Sequence, residues 1–276
     1  MNRAENGHFT IIGGHGFVGS NLAAALARKG RAYYLPAKGD LRALSGELGN
    51  VLFCAGTTSD FRQRPFDTVN AHVGLLSYVL EHCDFTSLTY LSSTRVYIHA
   101  ASTNEDATIP VVPSDAGDLF NLSKLTGEAL CRQSGRHGVR AVRLSNVLGD
   151  DYGSNNFAFS LMRDARSTGR IRLQTALESA KDYIRIDDAV DLILAISQRG
   201  IQMTYNVATG YNLTNADVTA SICRGISAVV TVEPNAPRIS FAPIEVSRIV
   251  EEFGYSPKSV AAYLTHLATL FPAVPA

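Results

Sequence analysis

The 276-residue sequence has no excess of charge of either sign: 25 Lys and Arg stand against 25 Asp and Glu. Without a basic surplus there is no polyanion-binding signature, and no nucleic-acid partner is expected. Long hydrophobic runs are missing as well. The longest apolar stretches fall far short of the roughly 18 residues a membrane span needs. The opening segment, Met1 to His8, has no apolar core of the signal-peptide kind. Cysteine is sparse. Cys54, Cys83, Cys131 and Cys223 are widely spaced, with no Cys-x-x-Cys pair, so neither a disulfide framework nor a zinc site is expected. A reducing, cytoplasmic setting fits that pattern. None of the seven histidines forms His-x-x-x-His or His-Glu-x-x-His, and no metal is expected. There is no Gly-x-Ser-x-Gly elbow, and no Gly-Lys-Ser/Thr follows the glycine turn.

What is present is an α/β pattern with an apolar fraction of 46%, enough for a sizeable core. Phe9-Thr10-Ile11-Ile12 reads as a strand ending in glycines. Ser20 to Lys29 reads as a helix stopped by Gly30, and Ala32 to Leu35 as the next strand. Further apolar strands are expected at Val51–Ala55, Leu88–Ser92, Val139–Leu144 and Tyr205–Ala208. Helices are expected at about Asp67–His82, Leu119–Gln133 and Val190–Ile196. Short, almost continuously apolar strands alternating with helices imply a doubly wound parallel sheet covered on both faces. The polar stretch from Asp150 to Asn156 suggests a crossing into a smaller lobe. The expected layout is a Rossmann unit over 1–149, completed by parts of 186–210, and a C-terminal substrate-binding lobe mainly from 150–276. Pro234, Pro237 and Pro243 predict irregular chain late in the sequence.

The chemistry starts at Gly13-Gly14-His15-Gly16-Phe17-Val18-Gly19. Gly13 allows a sharp turn after the first strand, Gly16 lets a pyrophosphate approach the backbone, and Gly19 lets the helix pack on the strand. The unpaired amides and positive dipole end of the helix then face phosphate. The strand–turn–helix context makes this a dinucleotide site.

The spacing Gly-x-x-Gly-x-x-Gly resembles the short-chain dehydrogenase/reductase superfamily, and further segments resemble its extended branch of nucleotide-sugar epimerases and dehydratases. Cys54-Ala55-Gly56 stands at the small-residue motif after a strand, and Asn70 where extended members carry an Asn. Leu91-Ser92-Ser93-Thr94-Arg95-Val96-Tyr97 resembles Ser-Ser-x-x-Val-Tyr. Phe120-Asn121-Leu122-Ser123-Lys124-Leu125-Thr126-Gly127-Glu128 resembles Tyr-x-x-Ser-Lys-x-x-x-Glu. Arg143 to Gly149, Lys181 to Asp188 and Tyr205 to Gly210 resemble Arg-x-x-Asn-x-x-Gly, Arg-Asp-Tyr-x-x-Val-x-Asp and Tyr-Asn-x-x-x-Gly. Together they run in order from residue 9 to 210.

The resemblance implies a nicotinamide cofactor held by Gly13, Gly16, Phe17, Val18, Gly19, Cys54, Ala55, Gly56, Asn70, Ser92, Lys124 and Leu144. On the ribose side, Ala37 replaces the acid that selects NAD, and Lys38 and Arg42 follow. This suits the 2′-phosphate of NADP. NAD remains possible through Asp40, although Gly39-Asp40-Leu41 also resembles the family's Asp-Leu pair, which faces the adenine. Taken alone, Cys54 reads first as a small buried apolar residue.

The implied catalytic set is Ser93, Thr94 and Lys124, but the family's acid/base Tyr is Phe120, which has no titratable proton. Asp118, Tyr97 and Tyr152 are candidate substitutes, with Thr94 as a relay. Asp118 reads first as the N-cap of the Leu119 helix and only second as a catalytic acid. Different substrate oxidation chemistry, or cofactor binding without turnover, are the other outcomes. On the substrate side the resemblance implies a nucleotide sugar contacted by Tyr97, Asn146, Asn156 and Lys181, with Arg163 and Arg185 adding charge. Lys181 replaces an Arg and so loses the bidentate fork. A homodimer through the helices near Asp67–His82 and Leu119–Gln133 follows by analogy.

Overall fold

The computed structural model describes residues 7–57 and 60–272. The chain runs β1 (Phe9–Ile12), α1 (Phe17–Arg28), β2 (Tyr33–Tyr34), β3 (Asn50–Phe53), α2 (Pro65–Val69), α3 (Leu75–His82), β4 (Ser87–Ser93), α4 (Asp118–Gln133) and β5 (Val139–Leu144). It continues through β6 (Asn146–Leu148), α5 (Phe157–Thr168), β7 (Arg170–Leu173), β8 (Ala180–Arg185), α6 (Ile186–Arg199) and β9 (Thr204–Val207). It then passes through β10 (Asn212–Thr214), α7 (Asn215–Gly225), β11 (Val229–Val232), α8 (Ser247–Phe253) and α9 (Val260–Leu270).

The main sheet has the order β2-β1-β3-β4-β5-β9, with every neighbouring pair parallel. All four residues of β1 and all four of β9 are buried, as expected of strands covered on both faces. One face packs on α1 and α6 through Leu22, Leu26, Val190 and Ile193, and the other on α3 and α4 through Leu76, Val79 and Cys131. From β1 the chain first adds β2 on one side and then β3 on the other. The crevice beyond the carboxyl ends of β1 and β3 is therefore a topological switch point, where ligands bind in open α/β sheets.

A second core is built by α5, α7 and α9 around Phe159, Met162, Ile222 and Leu264. Two small sheets, β10-β8-β6 and β11-β7, flank it. The proline-containing stretch after β11 is irregular, touching the sheet through a bridge from Ser240 to Ala180. No helix among the described residues is long and apolar enough to cross a membrane.

Three local expectations change. The strand at 32–35 shortens to Tyr33–Tyr34. The helix expected over 67–82 contains one wide π-helical turn, Asn70–Gly74, between α2 and α3. The third concerns Asp118, which does not cap α4. Gly117 holds that position, and the helix starts at Asp118 itself. Its carboxylate accepts from the Val112 amide at 2.7 Å and from Asn121 Nδ2 at 2.6 Å, so it clamps the preceding loop.

A buried ion pair ties the halves together. Arg143 on β5 meets Glu128 on α4 in a bidentate pair, with Nη2 to Oε2 at 2.6 Å and Nε to Oε1 at 3.0 Å. Arg143 Nη1 also donates to the Tyr97 hydroxyl at 2.6 Å, and that hydroxyl donates to Asn206 Oδ1 at 2.9 Å. Asn206 Nδ2 in turn donates to the carbonyls of Thr103 and Glu245. The network thus spans α4, β5, β9 and the irregular segment. Removing one partner of such a pair strands the other charge at a cost of about 3–5 kcal/mol. Glu128→Ala and Arg143→Ala should each show a loss of that order in urea unfolding. The double variant should lose much less than the sum.

Candidate cofactor and active site

The glycine turn is built by close backbone approach. Gly13 has φ +84°, and a Cβ there would sit 2.7 Å from the Ala55 amide nitrogen. A Cβ on Gly19 would sit 2.5 Å from the Gly13 carbonyl oxygen. Only glycine fits both places. The turn and the Cys54-Ala55-Gly56 loop are therefore pressed together at the β1/β3 switch point. Gly16 caps α1 with no side chain, and no acidic residue occupies the first turn. The helix end keeps its positive dipole and unpaired amides for an anion. The ring of Phe17 lies against Gly149, where a Cβ would reach it at 2.5 Å. These features fit a dinucleotide pyrophosphate. At the end of the β2 loop, Ala37, Lys38 and Leu41 are exposed. Asp40 Oδ1 is occupied by the amides of Arg42 and Ala43, capping a 3₁₀ turn at Leu41–Leu44.

Lys124 is a buried ammonium one helical turn after Phe120 on α4, and its Nζ donates to the Leu91 carbonyl at 2.8 Å. Among the described residues no carboxylate lies within 4 Å of that ammonium. Burial pushes Lys124 down from 10.5 to about 7, with Cys54 and Glu128 opposing. Burial holds the Cys54 thiol up at about 12, so it is no thiolate at neutral pH. Ser93 Oγ caps the turn after β4, accepting from the Arg95 amide at 3.2 Å, and Thr94 is buried beside it. The Phe120 ring packs edge-on against His72 and tilted against Phe61, each with centroids 5.3 Å apart.

His72 is the residue that sequence reasoning missed. Asn70, expected at the cofactor, is exposed at the start of the π turn, with its amide oxygen against Gly74. His72, two residues on in the same turn, is buried. Its Nδ1 meets Ser123 Oγ at 2.8 Å, and its Nε2 presses on Gly56, where a Cβ would sit 2.9 Å away. Burial, followed by the charge on Lys124, lowers His72 from 6.5 to about 3, so the ring is neutral. A π turn beside a site is a recurrent functional signature, but a single sequence carries no periodicity that announces it.

Other expected residues have structural partners. The Tyr97 hydroxyl is held in the Arg143 network, and Ser92 Oγ donates to Glu128 at 2.5 Å. Asn156 Oδ1 caps α5 through the Phe159 amide. Arg163 holds the carbonyls of Tyr152 and Ser154. Tyr152 packs on Phe159 and Phe271 and lines a cleft of about 730 Å³ beside α1 and α9, with Arg28, Arg185 and Tyr263, apart from Lys124. Asn146 is exposed and donates to the Asp182 carbonyl at 2.8 Å. Lys181 lies 4.7 Å over the Phe157 ring in a second cleft of about 430 Å³ that also contains Ser179 and Asn215. Leu144 ends β5 beside Ser93 on β4.

The model of the NAD dependent epimerase/dehydratase family matches residues 9–208, from β1 to the end of the main sheet. The chain belongs to that family. A comparison with curated proteins finds no match. Several solved structures share the fold of this family member. An NAD-dependent NDP-hexosamine 5,6-dehydratase, TunA, is 21% identical at a TM-score of 0.78, covering 96% of this chain and 97% of that one. RMD from Pseudomonas aeruginosa, complexed with NADPH, is 19% identical at 0.76, with 96% and 99% covered. UDP-glucuronic acid 4-epimerase from Bacillus cereus, in complex with UDP-glucuronic acid and NAD, is 16% identical at 0.75, with 96% and 98% covered.

The two buried bases give stability a defined pH profile. Below 6.5 an unfolded chain protonates His72 while the folded site refuses the proton. This contribution is therefore full above 6.5 and is lost as pH falls toward about 3. Between about 7 and 10.5 the unfolded chain holds a proton that folded Lys124 sheds, so stability rises with pH across that window. In urea unfolding at several pH values, His72→Gln should flatten the acid-side slope and Lys124→Met the alkaline-side rise. An unchanged slope in either variant contradicts the assignment.

Proposed function

We propose that the protein is an NAD(P)-dependent oxidoreductase of epimerase or dehydratase type acting on a nucleotide sugar, with an atypical proton-transfer residue. The observation that carries this reading is the buried Lys124, unpaired with any carboxylate and set one turn behind Phe120 at the crevice formed with the glycine turn. Membership of the family and the NAD, NADPH and UDP-sugar complexes of its structural neighbours support it. A bound nicotinamide would supply hydride acceptance and return. Gly13, Gly16 and Gly19 would hold its pyrophosphate against the α1 amides, and Lys38 beside Ala37 favours NADP over NAD. Lys124 would hold the nicotinamide ribose, while Ser93 with Thr94 would orient a sugar oxygen. Asn146 and Lys181 would meet the substrate's diphosphate side.

Oxidation of a hydroxyl carbon needs a proton to leave as hydride leaves. Phe120 cannot take it. Asp118 is saturated by hydrogen bonds, Tyr97 is held by Arg143 and Asn206, and Tyr152 stands apart. Lys124 is the remaining candidate. With a value of about 7 it exists in both protonation states near neutrality, as a general acid/base requires. The apolar Phe120 position favours a second reading from another class, a cofactor-binding sensor or partner protein without turnover.

Fluorescence titration with NADPH and NADH, followed by product assays over a panel of NDP-sugars, separates the two. The enzyme reading expects tighter NADPH binding and conversion of at least one sugar. Cofactor binding with no conversion and no sugar-induced change in affinity supports the sensor. Lys124→Ala should weaken NADPH binding by about tenfold or more, the order lost with one charged hydrogen bond. Unchanged affinity would remove Lys124 from the cofactor site.

A further inference from the structure

Two guanidinium groups meet beside the Phe120 position, with a third cation near enough for Arg95 to repel it. Arg95 lies two residues past Ser93, Arg62 comes from the segment before α2, and Lys181 projects from β8. The guanidinium carbons of Arg62 and Arg95 lie 4.6 and 5.7 Å from the centroid of the buried Phe61 ring. Phe61 in turn packs on Phe120, so the pair stands one aromatic ring from the place where the family's Tyr would be. Gly117 makes the approach possible. A Cβ there would sit 2.9 Å from Arg95 Nη2 and 3.2 Å from Arg62 Nη2.

The cluster is short of negative charge. Arg95 Nε is buried without a hydrogen-bond partner, and Nη2 has a long 3.4 Å contact to the Gly117 carbonyl. Burial and the neighbouring Arg62 both lower the Arg95 value, and Arg95 in turn lowers Lys181 after burial. Two carboxylates face the group, Asp115 and Asp118. Asp115 Oδ1 is taken by the Gly117 amide at 2.6 Å, and Asp118 by Val112, Asn121 and His99. Neither lies within 4 Å of Arg62 or Arg95 as an ion pair. Arg62 is exposed, but Arg95 is half-buried, and a half-buried guanidinium beside a like charge is costly unless an anion neutralises it. A planar fork pairs best with a planar carboxylate.

The geometry points to Arg95 and Arg62 as the reader of a carboxylate carried on the sugar ring. We propose on this basis that the preferred substrate is an acidic nucleotide sugar of the uronate class. This rests on the nucleotide-sugar reading and deepens it. The sugar side is favoured over the diphosphate because Arg95 follows Ser93 and flanks Phe120. Lys181 lines the separate cleft with Phe157, on the side the proposed function gives to the diphosphate.

UDP-glucuronate and UDP-glucose share their nucleotide and diphosphate and differ at the sugar carboxylate, so they are the probes. Binding of each to the full chain loaded with NADP⁺, and separately with NAD⁺, is measured by calorimetry. UDP-glucuronate is expected to bind at least about tenfold more tightly, the scale of one charged bidentate contact. Arg62→Ala and Arg95→Ala should each erase most of that preference while shifting UDP-glucose less than about threefold. Arg95→Lys keeps the charge, loses the fork and should fall between. Lys181→Ala should weaken both sugars alike.

Equal affinities in the unsubstituted protein overturn the proposal, as does a preference that survives both arginine substitutions. Parallel loss of both sugars in Arg95→Ala also overturns it, by moving the pair to the diphosphate. If neither sugar binds, the uronate assignment fails. Cofactor titration and conversion of other NDP-sugars then decide separately whether the nucleotide-sugar reading stands.

Discussion

The Glu128–Arg143 pair is the constraint around which the active half is arranged. It is buried, bidentate and extended by Ser92, Tyr97 and Asn206. Four elements of different sequence distance meet in it, so the position of α4 relative to β4 and β5 is set by charge geometry as well as by packing. Lys124 lies one turn before Glu128 on the same helix. A displaced pair would therefore move the ammonium that faces the nucleotide crevice. The network lets an otherwise unpaired lysine be held without a carboxylate of its own, which keeps its proton affinity low.

A second clamp does the same for the smaller lobe. Asp182 accepts from Ser145 Oγ, from the Thr209 amide and hydroxyl, and from the Gly210 amide. Burial raises its value and these donors oppose that rise. The clamp joins the ends of β5 and β9 to β8, the strand that carries Lys181. Several residues that resemble family motifs thus serve architecture: Tyr97, Arg143, Asp182 and Asn206 hold the frame.

Much of this was legible in the linear order. The β1–turn–α1 unit, β3, β4, β5, β9 and the helices between them follow from short apolar runs punctuated by glycine. Their signals are local, set by φ freedom and burial on both faces. The last third was less legible because its strands are short, its core mixes helix and sheet residues far apart in sequence, and its proline-containing stretch has no periodicity. His72 shows a sharper limit. Its place against Ser123 depends on one π turn, which leaves no periodic signal in the sequence. Tyr97 shows another, since a hydroxyl's partner across 109 residues of sequence cannot be read from its neighbours.

The sequence by itself determined the glycine turn, because Gly13 and Gly19 stand where the backbone leaves no room for a side chain. It also determined that Phe120 can move no proton. Only the tertiary structure decided which polar groups are available for chemistry. Burial lowered Lys124 and His72, distant partners consumed Tyr97, and Phe61 gathered Arg62 and Arg95 beside Phe120. Charge state and hydrogen-bond occupancy depend on what surrounds an atom in space, and that is set by the fold's long-range contacts.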